Sequence, residues 1–217
     1  MVIKLSGLIY TLILFPLFGA VVIFLMPKKR FELFQPLAIF LSIIPFSVCL
    51  YLFSNENSKD SYHQFDSINW ISSYGIKISL GFSGMSHLLL SLTSILVLLS
   101  FLSVTENYSK SKGFIGSILV LHFAVNGVFL SGDLLSLFIF FEAILIPMYF
   151  LMGIWGGDNR RYATIKFIIY TVFGSIFIFI GTVYTGVISY SQTGTLALDY
   201  VTLSNLNFTP QQSKALF

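Results

Sequence analysis

The sequence predicts an all-α polytopic membrane protein with about six transmembrane helices. Of its 217 residues, 56% are hydrophobic and only 10% are charged, and the mean hydropathy is +0.87. A soluble domain carries roughly 25% charged residues, so the composition excludes that class. The apolar residues also form six runs of about 20 residues, the length that a helix needs to cross the roughly 30 Å hydrocarbon core.

Short polar or turn-forming connections separate the six predicted spans. The spans cover residues 5–26, 31–53, 85–104, 114–131, 134–155 and 162–190. The first run exceeds the roughly 7 to 15 apolar residues of a cleaved signal, and a basic segment follows it, so we expect it to be retained. The predicted membrane domain is therefore residues 1–190, followed by a polar tail or loop over 191–217.

The longest connection, residues 54–84, contains a possible short β-hairpin. Apolar and polar residues alternate over Ile76–Leu80, and Gly75 precedes them, which is the period-2 pattern of a strand beside a turn. An irregular loop in the headgroup region, anchored by Trp70 and Tyr74, fits the same residues. The sequence leaves both interpretations open.

Positive charge is distributed unequally between the two sides of the predicted bundle. Seven Lys or Arg residues fall in loops on one side and four on the other. This excess predicts that the richer side faces the cytoplasm, or the matrix of a mitochondrion, with both chain termini opposite. The richer side holds Lys28, Lys29, Arg30, Lys110, Lys112, Arg160 and Arg161, and the poorer side holds Lys4, Lys59, Lys77 and Lys214.

Several classes of site can be set aside. Cys49 is the single cysteine, which excludes an internal disulfide and argues against a cysteine-ligated metal or cluster. His63, His87 and His122 have no metal-ligand spacing. Asp133 has no second aspartate at membrane depth, so it does not form the dyad of an aspartyl protease. The net charge of +3 reflects loop lysines and arginines and indicates no nucleic-acid partner.

Glu142 is the residue that predicts a function. It lies inside the apolar run from Leu134 to Leu151, in the fifth span. Ionisable side chains at membrane depth are costly and usually functional, and they pair with a partner. Burial disfavours the charged form of a carboxyl and a nearby cation favours it, so movement of that cation changes the affinity for a proton. The sequence therefore predicts a proton or ion site at Glu142.

Two further side chains are candidates for the same path. Lys166, in the sixth span, shares a helical face with Tyr162 and Tyr170 and is the first candidate cation. The alternative is that its ammonium snorkels towards the arginine-containing loop. His122 and Asn126, one turn apart in the fourth span, would extend a polar wire, because histidine titrates near neutral pH. The alternative for His122 is an interhelical hydrogen bond.

Pro147, one turn after Ala143 and close to Glu142, affects the fifth span in one of two ways. A proline inside a helix removes one backbone hydrogen bond, so a carbonyl one turn earlier is free to bind water beside the carboxylate. A simple packing kink is the alternative.

The motifs in the fifth and sixth spans, taken together, resemble one family. They run from Gly127 to about Gly181 and include Asp133, Glu142 and Lys166. This block resembles chain M, or subunit 4, of respiratory complex I, the proton-translocating NADH:quinone oxidoreductase, in its N-terminal half only. The resemblance implies the N-terminal part of an antiporter-like fold, with Glu142 as the key acidic residue of the proton path.

The resemblance also implies partners, cofactors and location. NADH, FMN, iron–sulfur clusters and quinone would lie in partner subunits, with no cofactor and no redox chemistry in this chain. The expected partners are other membrane-arm subunits and membrane lipids. The expected location is a bacterial inner membrane, with the mitochondrial inner membrane as the alternative.

Members of this family continue into a seventh, broken helix whose lysine is expected to pair with the fifth-helix glutamate. We therefore expect a partial sequence or a split gene, with the missing C-terminal half as a partner. Two alternatives to the complex I function stay open. One is a subunit of a multisubunit cation/proton antiporter or membrane-bound hydrogenase. The other is a non-transporting membrane scaffold, in which Glu142 and Lys166 only fix the helix register.

Overall fold

The computed structural model describes residues 2–55, 63–71, 76–104 and 111–216. Six helices in these ranges are long and apolar enough to cross a membrane, which confirms the predicted fold class. They are α1 (Val2–Leu25), α2 (Phe34–Asn55), α3 (Gly84–Leu102), α4 (Lys112–Leu130), α5 (Leu134–Trp155) and α6 (Arg160–Thr193). A 3-10 helix, Lys28–Leu33, leads into α2.

The helix boundaries follow from capping side chains. Ser83, Ser111 and Asp133 each accept a hydrogen bond from the backbone N–H three residues later, at the beginnings of α3, α4 and α5. Gly194 ends α6 in the left-handed region, with φ of +75°, a conformation that glycine adopts without strain. Local polar residues thus set where the apolar runs begin and end.

The predicted hairpin is present. Strand β1 (His63–Ile71) pairs antiparallel with β2 (Ile76–Phe82), in a register that sets Ser67 opposite Ser79. Ser79 is buried and Lys77 is exposed. The turn residues Tyr74 and Gly75, and the loop lysines Lys59 and Lys110, lie outside the described residues.

Helix α4 is central to the packing, because α1 and α5 both pack along it, while α2 packs on α3 and α6 on α5. The buried apolar side chains form two separate clusters. One lies at the end of the bundle near the hairpin, called the hairpin end, and the other lies at the opposite end, called the basic end because it carries Lys28, Lys29, Arg30, Arg160 and Arg161. The hairpin-end cluster contains Ile9, Leu12, Ile13, Cys49, Leu52, Phe82, Leu90 and Leu130. The basic-end cluster contains Ala20, Ile23, Phe34, Ala38, Phe101, Ile115, Ile118 and Leu119.

Side chains at the basic end join neighbouring helices. Gln35 Nε2 donates to the carbonyl of Phe101 at 2.9 Å, which links the beginning of α2 to the end of α3. Lys112 Nζ donates to the carbonyl of Phe24 at 3.0 Å, which links α4 to α1. These bonds show that α2 runs antiparallel to α3 and that α1 runs antiparallel to α4.

The turn between α4 and α5 is held from two sides at the hairpin end. Gly132 N–H donates to the carbonyl of Ser79 in β2 at 2.8 Å. On the other side, Leu134 N–H donates to Leu198 O and Tyr200 N–H donates to Gly132 O, each at 3.1 Å. The segment after α6 therefore folds back onto this turn before two short helices, α7 (Tyr200–Ser204) and α8 (Pro210–Leu216). The division of the chain at residue 190 stays a prediction.

Candidate functional site

Glu142 lies near the middle of α5. It is eight residues from the beginning of the 22-residue helix, or about 12 Å along the axis at roughly 1.5 Å per residue. The side chain is half-buried. Its Oε1 atom is fully buried and has no hydrogen-bond partner. A carboxylate oxygen without a donor is costly at this depth, which marks Glu142 as the candidate site.

Glu142 lines a groove of about 680 Å³ between α5 and α6. The lining residues are Ile139, Glu142, Ala143, Leu145, Ile146, Tyr149, Phe150, Ile168 and Val172. Glu142 supplies the only carboxyl or cationic group among them, so the groove presents one ionisable carboxyl on an apolar wall. Such a groove can accept a cation or a proton but offers few donors of its own.

Pro147 adds a second polar group to this wall. It is buried inside α5 and lacks the N–H that would bond to the carbonyl of Ala143 one turn earlier. Ala143 lines the same groove as Glu142. The freed carbonyl is therefore available to a water or to a donor that enters the groove, and both interpretations of the proline from the sequence remain compatible with this geometry.

Lys166 does not contact Glu142. Its side chain is exposed, and its Nζ lies 5.6 Å from the centroid of the Tyr162 ring. Within the described part of the chain, no ion pair joins Lys166 to Glu142. The predicted sharing of one helical face by Lys166 and Tyr162 agrees with this contact.

The separation of the two charges follows from the helical register. Glu142 is 13 residues before Trp155, and Lys166 is six residues after Arg160. At roughly 1.5 Å per residue these distances are about 20 Å and about 9 Å from the α5–α6 turn, so Lys166 lies about 10 Å nearer the basic end. Its participation in a proton path stays a prediction.

His122, on α4, lies at the same depth as Glu142, on α5, but on a face of α4 other than the one that packs on α5. His122 lies eight residues before Leu130, the last residue of α4, and Glu142 lies eight residues after Leu134, the first residue of α5. The α5 side of α4 is occupied by Phe123, whose ring centroid is 5.7 Å from that of Phe140. His122 is 1% exposed, and neither ring nitrogen has a hydrogen-bond partner. Its predicted part in the proton path is likewise untested.

Sequence reasoning missed the partner of Asn126, one turn from His122. Asn126 Nδ2 donates to the carbonyl of Leu12 at 2.8 Å. This carbonyl lacks its helical partner because Pro16 has no N–H. The signal in the sequence was the proline inside the first span, although nothing local indicates which helix supplies the donor.

Asp133 also has more partners than the sequence indicated. Its Oδ1 accepts from Ser136 N–H at 2.7 Å, and its Oδ2 accepts from the N–H and hydroxyl of Ser79 and from the hydroxyl of Ser136. The carboxylate therefore caps α5 and attaches strand β2 to it. Among the described residues, no group of three or more His, Cys, Asp or Glu side chains is placed to hold a metal ion.

The transmembrane domain family described as NADH:quinone oxidoreductase/Mrp antiporter matches residues 131–217, the stretch that holds Glu142 and Lys166. The chain resembles subunit M of NADH:quinone oxidoreductase. Subunit M of Rickettsia bellii is 34% identical over 149 residues, which are 68% of this chain and 30% of that protein. The chloroplastic NAD(P)H-quinone oxidoreductase chain 4 of Chara vulgaris is 36% identical over 173 residues, which are 79% of this chain and 35% of that protein.

The chain thus spans about a third of the length of these relatives of the subunit M type. Solved structures show the same fold. A chain of respiratory complex I from Thermus thermophilus aligns over 94% of this chain and 40% of its own length, with a TM-score of 0.77 and 22% identity. A chain of the Mrp complex from Dietzia sp. DQ12-45-1b aligns over 86% of this chain and 20% of its own length, with a TM-score of 0.65 and 16% identity.

Proposed function

We propose that this chain forms part of a proton-translocating, antiporter-like subunit of NADH:quinone oxidoreductase, in which Glu142 binds and releases a proton. The buried Oε1 of Glu142, without a hydrogen-bond partner in a mid-helix groove, carries the proposal. The resemblance to subunit M supports it, because the relatives named above are subunits of such complexes.

The chemistry follows from the environment of the carboxyl. A cation close to a carboxyl favours its charged form, and withdrawal of that cation removes this preference. Alternate approach and withdrawal of a cation would make Glu142 release and take up a proton. The cation we propose is a lysine on a helix outside the described bundle. Lys166, near the basic end, and His122, on α4, are proposed as secondary contributors to the path.

The redox reaction is assigned to other subunits in this proposal. NADH, FMN, iron–sulfur clusters and quinone bind there, and this chain couples quinone reduction to proton movement. The proposed partners are membrane-arm subunits, the rest of the same subunit and lipids. The proposed location is a bacterial inner membrane, which the Rickettsia relatives favour over a mitochondrial one.

The test uses the assembled complex in membrane vesicles. We expect Glu142→Gln to lower NADH-driven proton uptake at least about tenfold, since a positioned proton-transfer group commonly contributes more than this. Glu32→Gln is the matched control, because Glu32 is an exposed carboxylate in the 3-10 helix at the basic end. Unchanged proton uptake in Glu142→Gln, with normal assembly, would refute the proposal and favour the scaffold alternative.

A cation/proton antiporter is the second candidate. The family that matches residues 131–217 is described as including Mrp antiporters, and a chain of an Mrp complex shares the fold. The native complex discriminates between the two functions. Flavin and iron–sulfur absorption in the purified complex would support the oxidoreductase, whereas their absence, together with sodium-dependent proton exchange, would support the antiporter.

A further inference from the structure

We propose that His122 and Asn126 bind internal water in the seam between α1 and α4, at a site separate from the Glu142 groove. The two side chains are 1% and 0% exposed and lie one turn apart on α4. Three of their polar atoms have no hydrogen-bond partner, namely Nδ1 and Nε2 of His122 and Oδ1 of Asn126. Buried polar atoms in proteins almost always have a partner, and an internal water is the usual one where protein supplies none.

The unpartnered atoms complement a water molecule. A neutral imidazole has one N–H donor and one acceptor nitrogen, whichever tautomer it adopts, and Asn126 Oδ1 only accepts. The site therefore offers one donor and two acceptors. A water has two hydrogens to donate and lone pairs to accept, so one or two waters can satisfy all three atoms.

The orientation of the Asn126 amide is fixed by Pro16. The proline leaves the Leu12 carbonyl without its helical N–H, and Asn126 Nδ2 donates to it at 2.8 Å. The opposite orientation would set two acceptor oxygens against each other. Oδ1 must therefore point away from Leu12, where the described protein atoms supply no donor.

Apolar packing encloses this site at both ends. Leu12 and Leu130 belong to the hairpin-end cluster, and Leu119, one turn from His122, belongs to the basic-end cluster. On the α5 side of α4, Phe123 and Phe140 pack edge to face, with ring centroids 5.7 Å apart. These apolar side chains enclose the site, and neither His122 nor Asn126 lines the Glu142 groove.

The first test is solid-state NMR of the full chain in lipid bilayers, labelled with 15N-histidine. The chain has three histidines, so His122→Gln assigns the signal of residue 122 by its loss. Magnetisation from water should reach the His122 ring at short mixing times. Asn126→Leu, which removes Oδ1, should slow this transfer at least twofold. The proposal would be overturned if magnetisation from water reached His122 in the unsubstituted chain as slowly as it reaches enclosed leucine methyl groups.

The second test does not depend on the variants and uses the native complex. A high-resolution cryo-EM map should show a density peak within hydrogen-bonding distance of Asn126 Oδ1 and a ring nitrogen of His122. An empty apolar void there, or a side chain that bonds to His122, would contradict the inference. Neither test measures proton pumping, so the result is independent of the proposed function.

Discussion

Asp133 accepts hydrogen bonds from both the backbone N–H and the hydroxyl of Ser79, at 2.6 Å and 3.1 Å. The same carboxylate caps the helix that carries Glu142. One side chain thus joins the hairpin to the beginning of α5. This attachment holds the beginning of α5 against strand β2.

Removal of this carboxylate should destabilise the hairpin end. We expect Asp133→Ala to lower the free energy of unfolding by about 2 to 3 kcal/mol, since a helix cap and charge-assisted hydrogen bonds to Ser79 are lost together. Thermal unfolding of the purified protein measures the change. Asp158→Ala, at an exposed aspartate in the α5–α6 turn, is the control and should leave the melting temperature unchanged. Equal effects of the two substitutions would refute the assigned role.

Gly127 should not tolerate a side chain. A Cβ at this position would overlap the ring of Phe140, so this ring or the two helices would have to move. We expect Gly127→Ala to destabilise the protein by about 1 to 3 kcal/mol, which is typical of overpacking. Gly174→Ala is the control, because a Cβ there meets no atom within 4 Å. A melting temperature for Gly127→Ala at or above that of Gly174→Ala would contradict the packing.

The six spans and the hairpin were predictable because each depends on local pattern. The length and polarity of the apolar runs predict the helices, and the alternation over Ile76–Leu80 predicts the strand that the structure has over Ile76–Phe82. Burial of Ser79 was not predictable, because it depends on a carboxylate far along the chain. Likewise, the contact of Asn126 with Leu12 joins residues that are 114 positions apart, and no local pattern indicates it.

The candidate site was predictable only in part. The position of Glu142 in an apolar run predicted a place near the middle of a helix, where the structure has it, since this place follows from residue count. Pairing with Lys166 depends instead on the axial offset that the α5–α6 turn imposes and on the rotation of each helix. The sequence does not specify these quantities, and in the structure the ammonium lies beside Tyr162 instead.

Lys166 should contribute less to transport than Glu142. We expect Lys166→Gln to lower NADH-driven proton uptake only about two- to threefold, because the exposed ammonium is offset from Glu142 by about 10 Å along the helix axes and screening weakens the interaction of charges at such separations. Lys166→Arg, which keeps the charge, should retain full activity. A loss as large as that of Glu142→Gln would indicate that the two side chains pair directly during turnover.

The central claim is that Glu142 changes its protonation state while the complex works. Redox-triggered infrared difference spectroscopy of the complex reports this change through the C=O stretch of a protonated carboxyl. We expect a carboxyl band that appears or disappears during NADH oxidation and is lost in Glu142→Gln but kept in Glu32→Gln. An identical difference spectrum in Glu142→Gln and the unsubstituted complex would contradict the account.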